Sequence, residues 1–376
     1  VSGSAKTKLG LKFEMKQNLT PAEVGVDVSA DISDFAMKKV FDNKDIFAEK
    51  LKLSVDNKGL SVVGDAKLDD IPVNLDWRES FADKNYQSRY KIGFKYDDNL
   101  KKKLGLDISL LQAPYLSGYA DMTAEITIFN DKRTEINLNG DLKPMDIDFS
   151  FFGFRKPTNA QGRLAATLEI ADNKLKSVSN LSLSNDDISL AGSLGIDAKG
   201  RVKLIDINQI NGVKTNAKAR IDLAYEPKMK AKINISGQSY NLSPFFERSE
   251  SKIKIDKKSM SPKAPEDNDD ELEDTIDADI FIAVNNLWTN PHIAVSNFAG
   301  SAKLVNGVGI QEIHMVGNYK TGKNSTLKVD YVPRPNKEFY LSVDSNDAGA
   351  TMKVLRIYDN MEGGKLQIEA RRNKDK

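Results

Sequence analysis

The chain has 376 residues, 40% hydrophobic and 29% charged, with 55 basic against 54 acidic side chains and no cysteine. That length can bury a core. The near-neutral balance lacks the basic footprint that nucleic acid demands, and the missing thiols exclude disulfides, thiol catalysis and cysteine-based metal sites.

The only imidazoles are His292 and His314, which show no metal-ligand spacing. No apolar run approaches the roughly 18 residues of a membrane span. The chain starts at Val1, so a processed or excised piece is expected, with any targeting or anchoring segment outside it.

Alternation is the dominant signal. Val24, Val26, Val28, Ala30 and Ile32 take every second place, as do Leu51, Leu53 and Val55, then Leu60, Val62 and Leu68. Ile71, Val73, Leu75 and Trp77 follow, then Tyr90, Ile92, Phe94 and Tyr96. Period two gives each strand one apolar and one polar face, as in an antiparallel sheet with one solvated side. The pattern continues through Met122–Ile128, Ile136–Leu142, Met145–Phe149, Leu164–Ile170, Ile188–Ile196, Ile221–Leu223 and Met229–Ile235. It resumes at Ile276–Val284, Ile313–Tyr319, Leu327–Tyr331 and Phe339–Val343, with turn signals such as Asn57-Lys58-Gly59 and Ala198-Lys199-Gly200 between runs.

Gly64, Gly140, Gly192, Gly237 and Gly317 fall in phase with the apolar rows. Either the sheet bends there, curling around its apolar side, or glycine simply ends strands near turns. Helical signals are few: Asp98–Leu111, a turn or two at Phe35–Phe41 and at Pro244–Glu247, and a helix near 347–362. That last helix has Asp347 as N-cap, a stripe of Ala350, Val354, Tyr358 and Met361, and Gly363-Gly364 to close it. Residues 249–275 run from a basic half to an acidic half with almost nothing to bury, which predicts a mobile excursion. It divides the chain into 1–248 and 276–376. The fold class expected is all-β: an elongated, curled antiparallel sheet forming an open apolar groove, with a few short helices.

Catalytic spacing is missing. There is no phosphate-binding loop and no nucleophile elbow, and the acid pairs mostly sit at turns, so no enzyme, cofactor or metal is expected. His314, between Ile313 and Met315, should point outward from a strand, and His292 should lie in a loop. The cluster Phe149, Phe151, Phe152 and Phe154 reads as a core plug or as a contact for acyl chains or a partner.

The end of the chain, Asp347-Ala348-Gly349-Ala350-Thr351-Met352 and then Tyr358-Asp359-Asn360-Met361-Glu362-Gly363-Gly364-Lys365-Leu366, resembles the C-terminal signature of the bacterial AsmA-like family, in its YhdP branch. Leu75-Asp76-Trp77-Arg78-Glu79-Ser80-Phe81 resembles that branch's tryptophan–acidic strand end, and Gly140-Asp141-Leu142 through Phe154-Arg155-Lys156-Pro157 and Gly162 its central segment. The resemblance implies a periplasmic protein of a Gram-negative envelope. It would be anchored to the inner membrane by a segment absent from this chain, and similar to bridge-like lipid-transfer proteins that carry phospholipid between inner and outer membranes. It carries no catalytic residues.

On that reading the groove wall comprises Val26, Val28, Leu53, Val73, Leu75, Ile92, Phe94, Ile126, Leu138, Ile147, Leu168, Leu190, Leu194, Ile233, Ile282 and Leu341, and phospholipid acyl chains lie against it. Alternation alone fits equally a closed sandwich whose inner rows stay dry. The functional alternative is a scaffold for envelope protein partners or outer-membrane assembly, without lipid cargo.

Overall fold

The computed structural model describes residues 1–41, 44–81, 86–103, 115–149, 154–172, 174–243, 276–290, 292–305, 309–320, 325–335 and 338–373. The chain is all-β, and twenty of its strands belong to one sheet. It divides into two compact units, Val1–Ile147 with Lys156–Leu183, and Asp148–Arg155 with Ser184–Lys376.

In the first unit β1 (Ser2–Lys12), β2 (Gly25–Phe41), β3 (Lys44–Asp56), β4 (Gly59–Leu68), β5 (Ile71–Ser80) and β6 (Tyr86–Tyr96) form an antiparallel meander. After the short helix α1 (Asp98–Lys103) and β7 (Leu116–Gly118), the ladder continues through β8 (Ala120–Phe129) and β9 (Thr134–Asp141). It skips β10 (Met145–Phe149) and β11 (Phe154–Lys156) to reach β12 (Gly162–Ala171), and β13 (Lys174–Asn185) follows. Strands β7, β10 and β11 make a separate three-stranded sheet.

The second unit holds β14 (Ile188–Ile196), β15 (Val202–Gly212), β16 (Thr215–Ala224), β17 (Lys230–Asn241), β18 (Asp277–Trp288), β19 (Ala294–Val305), β20 (Gly309–Asn318), β21 (Thr326–Pro333) and β22 (Glu338–Ser345). After these come α2 (Ala348–Val354) and β23 (Leu366–Asn373). Every neighbouring pair with an established register from β14 to β23 is antiparallel except β17 with β18, which run parallel. A parallel pair cannot be closed by a hairpin, because the chain must return to the start of its neighbour. The charged segment 249–275 falls in that return connection and lies outside the described residues.

Residues directly opposite on paired strands share a face, so the registers turn single-strand alternation into rows. One row of the first unit runs Ala30, Leu53, Val62, Trp77, Tyr90, Ile126, Ile136, Leu168. The row on the opposite face runs Lys6, Asp31, Lys52, Val63, Asp76, Lys91, Glu125, Asn137. The second unit repeats the division: Leu194, Ile205, Ile221, Ile233, Ile280, Ala302, Ile313, Tyr331, Leu341 on one face, and Asp222, Lys232, Asp279, Lys303, Glu312 on the other. Charges of alternating sign on adjacent strands attract instead of repelling, so the polar face supports the register that the apolar face demands.

Of the in-phase glycines, Gly64, Gly192 and Gly237 sit where a neighbouring strand's backbone approaches closely, whereas a β-carbon at Gly140 or Gly317 would first meet the side chain of Met122 or Val295. Gly64 and Gly237 have φ of +153° and +154°, a region essentially closed to other residues. A β-carbon at Gly64 would stand 2.7 Å from the Lys50 carbonyl oxygen, and one at Gly237 2.5 Å from that of Asn216. Both lie beside register shifts, in β3–β4 and β16–β17. Bulges bend the strand and increase its local twist, which supports the bending reading of these glycines over strand termination.

Two helical expectations are corrected. Phe35–Phe41 is the end of β2 and not a helical turn. Positive φ at Asp34 and Lys39 marks bulges that break the period-two pattern and imitate a helical spacing. The C-terminal helix stops at Val354, so Tyr358 and Met361 leave the stripe and are exposed. The helix at Asp98 is seen as α1, and the remainder of that expectation, with Pro244–Glu247, lies outside the described residues.

Candidate functional site

A concentration of apolar side chains in the first unit comes from consecutive strands of one ladder. Ile46, Ala48, Leu51, Val62, Ala66, Val73 and Leu75 are buried, and Phe35, Met37, Trp77, Tyr90, Ile92 and Phe94 pack on them. All of these except Ala48 and Ala66 line a cavity of about 250 Å³. Its wall continues through Ala124, Ile126 and Ile128 of β8, and Leu100 of α1 lies against it. Asp97 accepts the Leu100 amide at 2.9 Å, which starts the helix and fixes that leucine.

The wall has two ends. On β5 it runs from Ile71 to Trp77, six residue-to-residue steps of strand or about 20 Å. Beyond Ile71 stands Lys44, with its ammonium 3.6 Å from Asp69. At the Trp77 end, Tyr90 stacks on the indole with ring centres 5.8 Å apart. Next to them Ser88 donates to Glu79 at 3.4 Å. Burial raises the pKa of the Tyr90 phenol, and its hydrogen bond with Ser88 opposes this in part.

Of the sixteen residues expected to form the wall, Val73, Leu75, Ile92, Phe94 and Ile126 line this cavity. Val26, Val28, Leu53, Leu138 and Leu168 share its face of the ladder. Leu190, Leu194, Ile233, Ile282 and Leu341 lie in the apolar rows of the second unit. Ile147 is placed apart, in β10 of the small sheet opposite Leu116. Sequence reading passed over Leu51, Ala124 and the cavity-facing role of Trp77. Leu51 and Trp77 were visible as members of alternating runs, whereas the cavity itself depends on register.

The other candidates resolve as structural. Phe154 is fully buried, as the core-plug reading requires, and Phe149 is half-buried; Phe151 and Phe152 lie outside the described residues. Beside them Lys156 is fully buried and donates to the carbonyls of Met145 at 2.6 Å, Pro157 at 3.1 Å and Lys143 at 3.3 Å. Burial pulls its pKa below the usual lysine range, against the opposing pull of Asp146 and Asp141. His314 points away from the apolar row, with its ring nitrogens 2.8 Å from Asp330 and 2.8 Å from Glu312. His292 sits in the loop after β18.

At one end of the second ladder α2 is tied down by hydrogen bonds. Asp347 caps it by accepting from Ala350 at 2.9 Å. Tyr319, after β20, donates to Thr351 at 3.0 Å, and Thr351 donates to Ser345 at 2.7 Å. Thr289 and Asn290, after β18, donate to the carbonyls of Val354 and Lys353 at 2.6 and 2.7 Å. Burial pushes the Tyr319 phenol up to about 12. A β-carbon on Gly349 would meet the Met361 carbonyl oxygen at 2.4 Å, which explains glycine within this C-terminal signature.

Among the described residues no group of histidine and carboxylate side chains could hold a metal ion, and no helix is long and apolar enough to cross a membrane. No family model, no curated protein and no solved structure matches the chain.

Proposed function

We propose that this chain shields the acyl chains of phospholipids on the apolar face of its sheet, as a segment of a lipid-transfer protein of the AsmA-like family. In this reading it acts in the periplasm of a Gram-negative bacterium, between inner and outer membranes, and an anchor outside this chain holds it to the inner membrane. It binds and shields; it does no chemistry. The observation that carries the reading is the cavity of about 250 Å³ among apolar side chains of consecutive strands.

The physical case is one of fit and magnitude. Filling apolar space is worth about 24 cal/mol per Å³, so hydrocarbon occupying this cavity gains on the order of 6 kcal/mol. Each further methylene taken from water adds about 0.8 kcal/mol. The unbroken rows offer one aliphatic stretch after another, so an acyl chain can move along an open groove with little change in energy. The charged outer rows keep the sheet compatible with water. The resemblance at Asp347–Met352 and Tyr358–Leu366 points the same way.

Mass spectrometry of gently extracted, purified protein tests this. Stoichiometric phospholipid is the expected result. Protein that carries none, and takes up none from labelled vesicles, would sink the reading in favour of a scaffold without lipid cargo.

A further inference from the structure

We propose that the apolar groove beside the last strand of the second unit takes a phospholipid, with its acyl chain along the sheet and its phosphate on the Arg372 guanidinium. This rests on the reading that the apolar face holds acyl chains, and it adds the group that binds the head and the direction in which the chain lies.

The groove is a space of about 630 Å³ along Ile313, Val329, Tyr331, Phe339 and Leu341, and Arg372 borders it. The register explains how an arginine comes to stand there. Ile368, Ala370 and Arg372 of β23 lie opposite Val343, Leu341 and Phe339 of β22, so all three belong to the apolar face. That row of β23 is aliphatic until its last member, where an exposed cation takes the place of a hydrophobe.

The neighbouring cations are engaged on the other face. Arg371 also borders the groove, but it lies opposite Tyr340, and its charge acts on that phenol. The Arg334 guanidinium sits over the Tyr340 ring, 4.8 Å from its centre. Arg372 makes no ion pair with a described residue.

The far end of the groove sets the direction. From Phe339 to Ser345 the apolar face of β22 runs six residue-to-residue steps, about 20 Å. At Ser345 it ends under α2, where Tyr319 donates to Thr351 and Thr351 to Ser345. A chain lying on this face therefore points its tail at α2 and brings its polar head out at Phe339, beside Arg372. The phosphate of a phospholipid lies where hydrocarbon gives way to water, as this arginine does, and a guanidinium can meet two of its oxygens with two parallel N–H groups.

The test titrates 1-myristoyl-glycerol 3-phosphate, monomyristoyl glycerol and glycerol 3-phosphate, each below any micelle-forming concentration, into the native chain, Arg372→Gln and Arg334→Gln. Binding is read at the Ala370 methyl resonance, so that occupancy of the first unit does not count. In the native chain the phosphate lipid should bind about fivefold tighter than the uncharged one, the upper end for an exposed charge pair, and high salt should shrink the difference. Arg372→Gln should erase the preference and keep the affinity for monomyristoyl glycerol. Arg334→Gln removes the same charge from the other face and should keep the preference. Equal binding of the two lipids by the native chain, or a preference that survives Arg372→Gln, would overturn the proposal and leave Arg372 as a guard against edge pairing. Equal loss in both variants would assign the effect to the general field of the surface, and glycerol 3-phosphate binding as tightly as its acylated form would assign the arginine to free phosphate; either result also overturns it. If neither lipid moves the Ala370 resonance, the acyl-chain reading of this groove fails as well. Should Arg372→Gln not fold, the native comparison and its salt dependence still decide.

Discussion

The two units share a face pattern and differ in how it is finished. In the first, consecutive strands surround apolar space, and a tryptophan N–H is left without a protein partner. In the second, the tryptophan N–H is paired, and α2 is tied to the ends of β18, β20 and β22 through Thr289, Tyr319 and Ser345. The second unit also keeps a space of about 630 Å³ along Ile313, Val329, Tyr331, Phe339 and Leu341, so the units differ in how their ends are tied and not in whether room remains. Alternation sets the design, and a few residues at the ends decide the finish.

The shared part of the comparison breaks most severely at the bending glycines. Gly64→Val and Gly237→Val each force a β-branched residue into positive φ against a backbone carbonyl. Each should cost about 2–5 kcal/mol, combining backbone strain with overpacking. Urea unfolding of the full chain measures it. A loss under 1 kcal/mol at either site would show that the bulge there relaxes and that the two units do not bend by one device.

The unshared part is sharpened by filling. Ala124 lines the first unit's cavity, and Ala219 lies buried in an apolar row of the second, opposite Ile207 and Ile235. Ala219→Leu should destabilise by about 1–3 kcal/mol, because no space awaits the larger side chain. Ala124→Leu should be neutral or stabilise by up to about 1 kcal/mol, while weakening phospholipid uptake from labelled vesicles. The same melting curve read for both variants checks the sign. Equal destabilisation would mean that the first unit's space cannot accept hydrocarbon.

Much of this was legible beforehand, because an apolar residue at every second place has few alternatives to a half-buried strand. The run Ile71 to Trp77 and the outward direction of His314 follow from parity alone. Parity fails where a strand gains a residue. At Asp34 and Lys39 the phase slips, and the end of β2 passes for a helical turn. Spacing also overran α2, since Tyr358 and Met361 continue the stripe. The chain instead takes a positive φ at Arg356, and Thr289 and Asn290 capture the last carbonyls. The cavity was not legible at all. Leu51, Trp77 and Ala124 meet only through the registers of four ladders, and an indole without a partner leaves no mark in sequence.

The smallest expected effect belongs to the polar face of the second unit. Hydrogen bonds to Asp330 and then Glu312 raise the pKa of His314, and the same bond holds the Asp330 carboxyl low. A histidine whose pKa is higher folded than unfolded adds stability that is complete below the unfolded value of about 6.5 and fades as pH rises through the folded one. The side chain is 44% exposed, so solvent screening keeps the gain within that of a surface ion pair, about 0.2–1 kcal/mol. The first unit contains no histidine. Stability lost on going from slightly acid to slightly alkaline pH should therefore vanish in His314→Gln, while phospholipid uptake by the first unit stays unchanged. Imidazole resonances followed through the titration give the folded pKa directly, and a value at or below 6.5 would remove the predicted pH dependence.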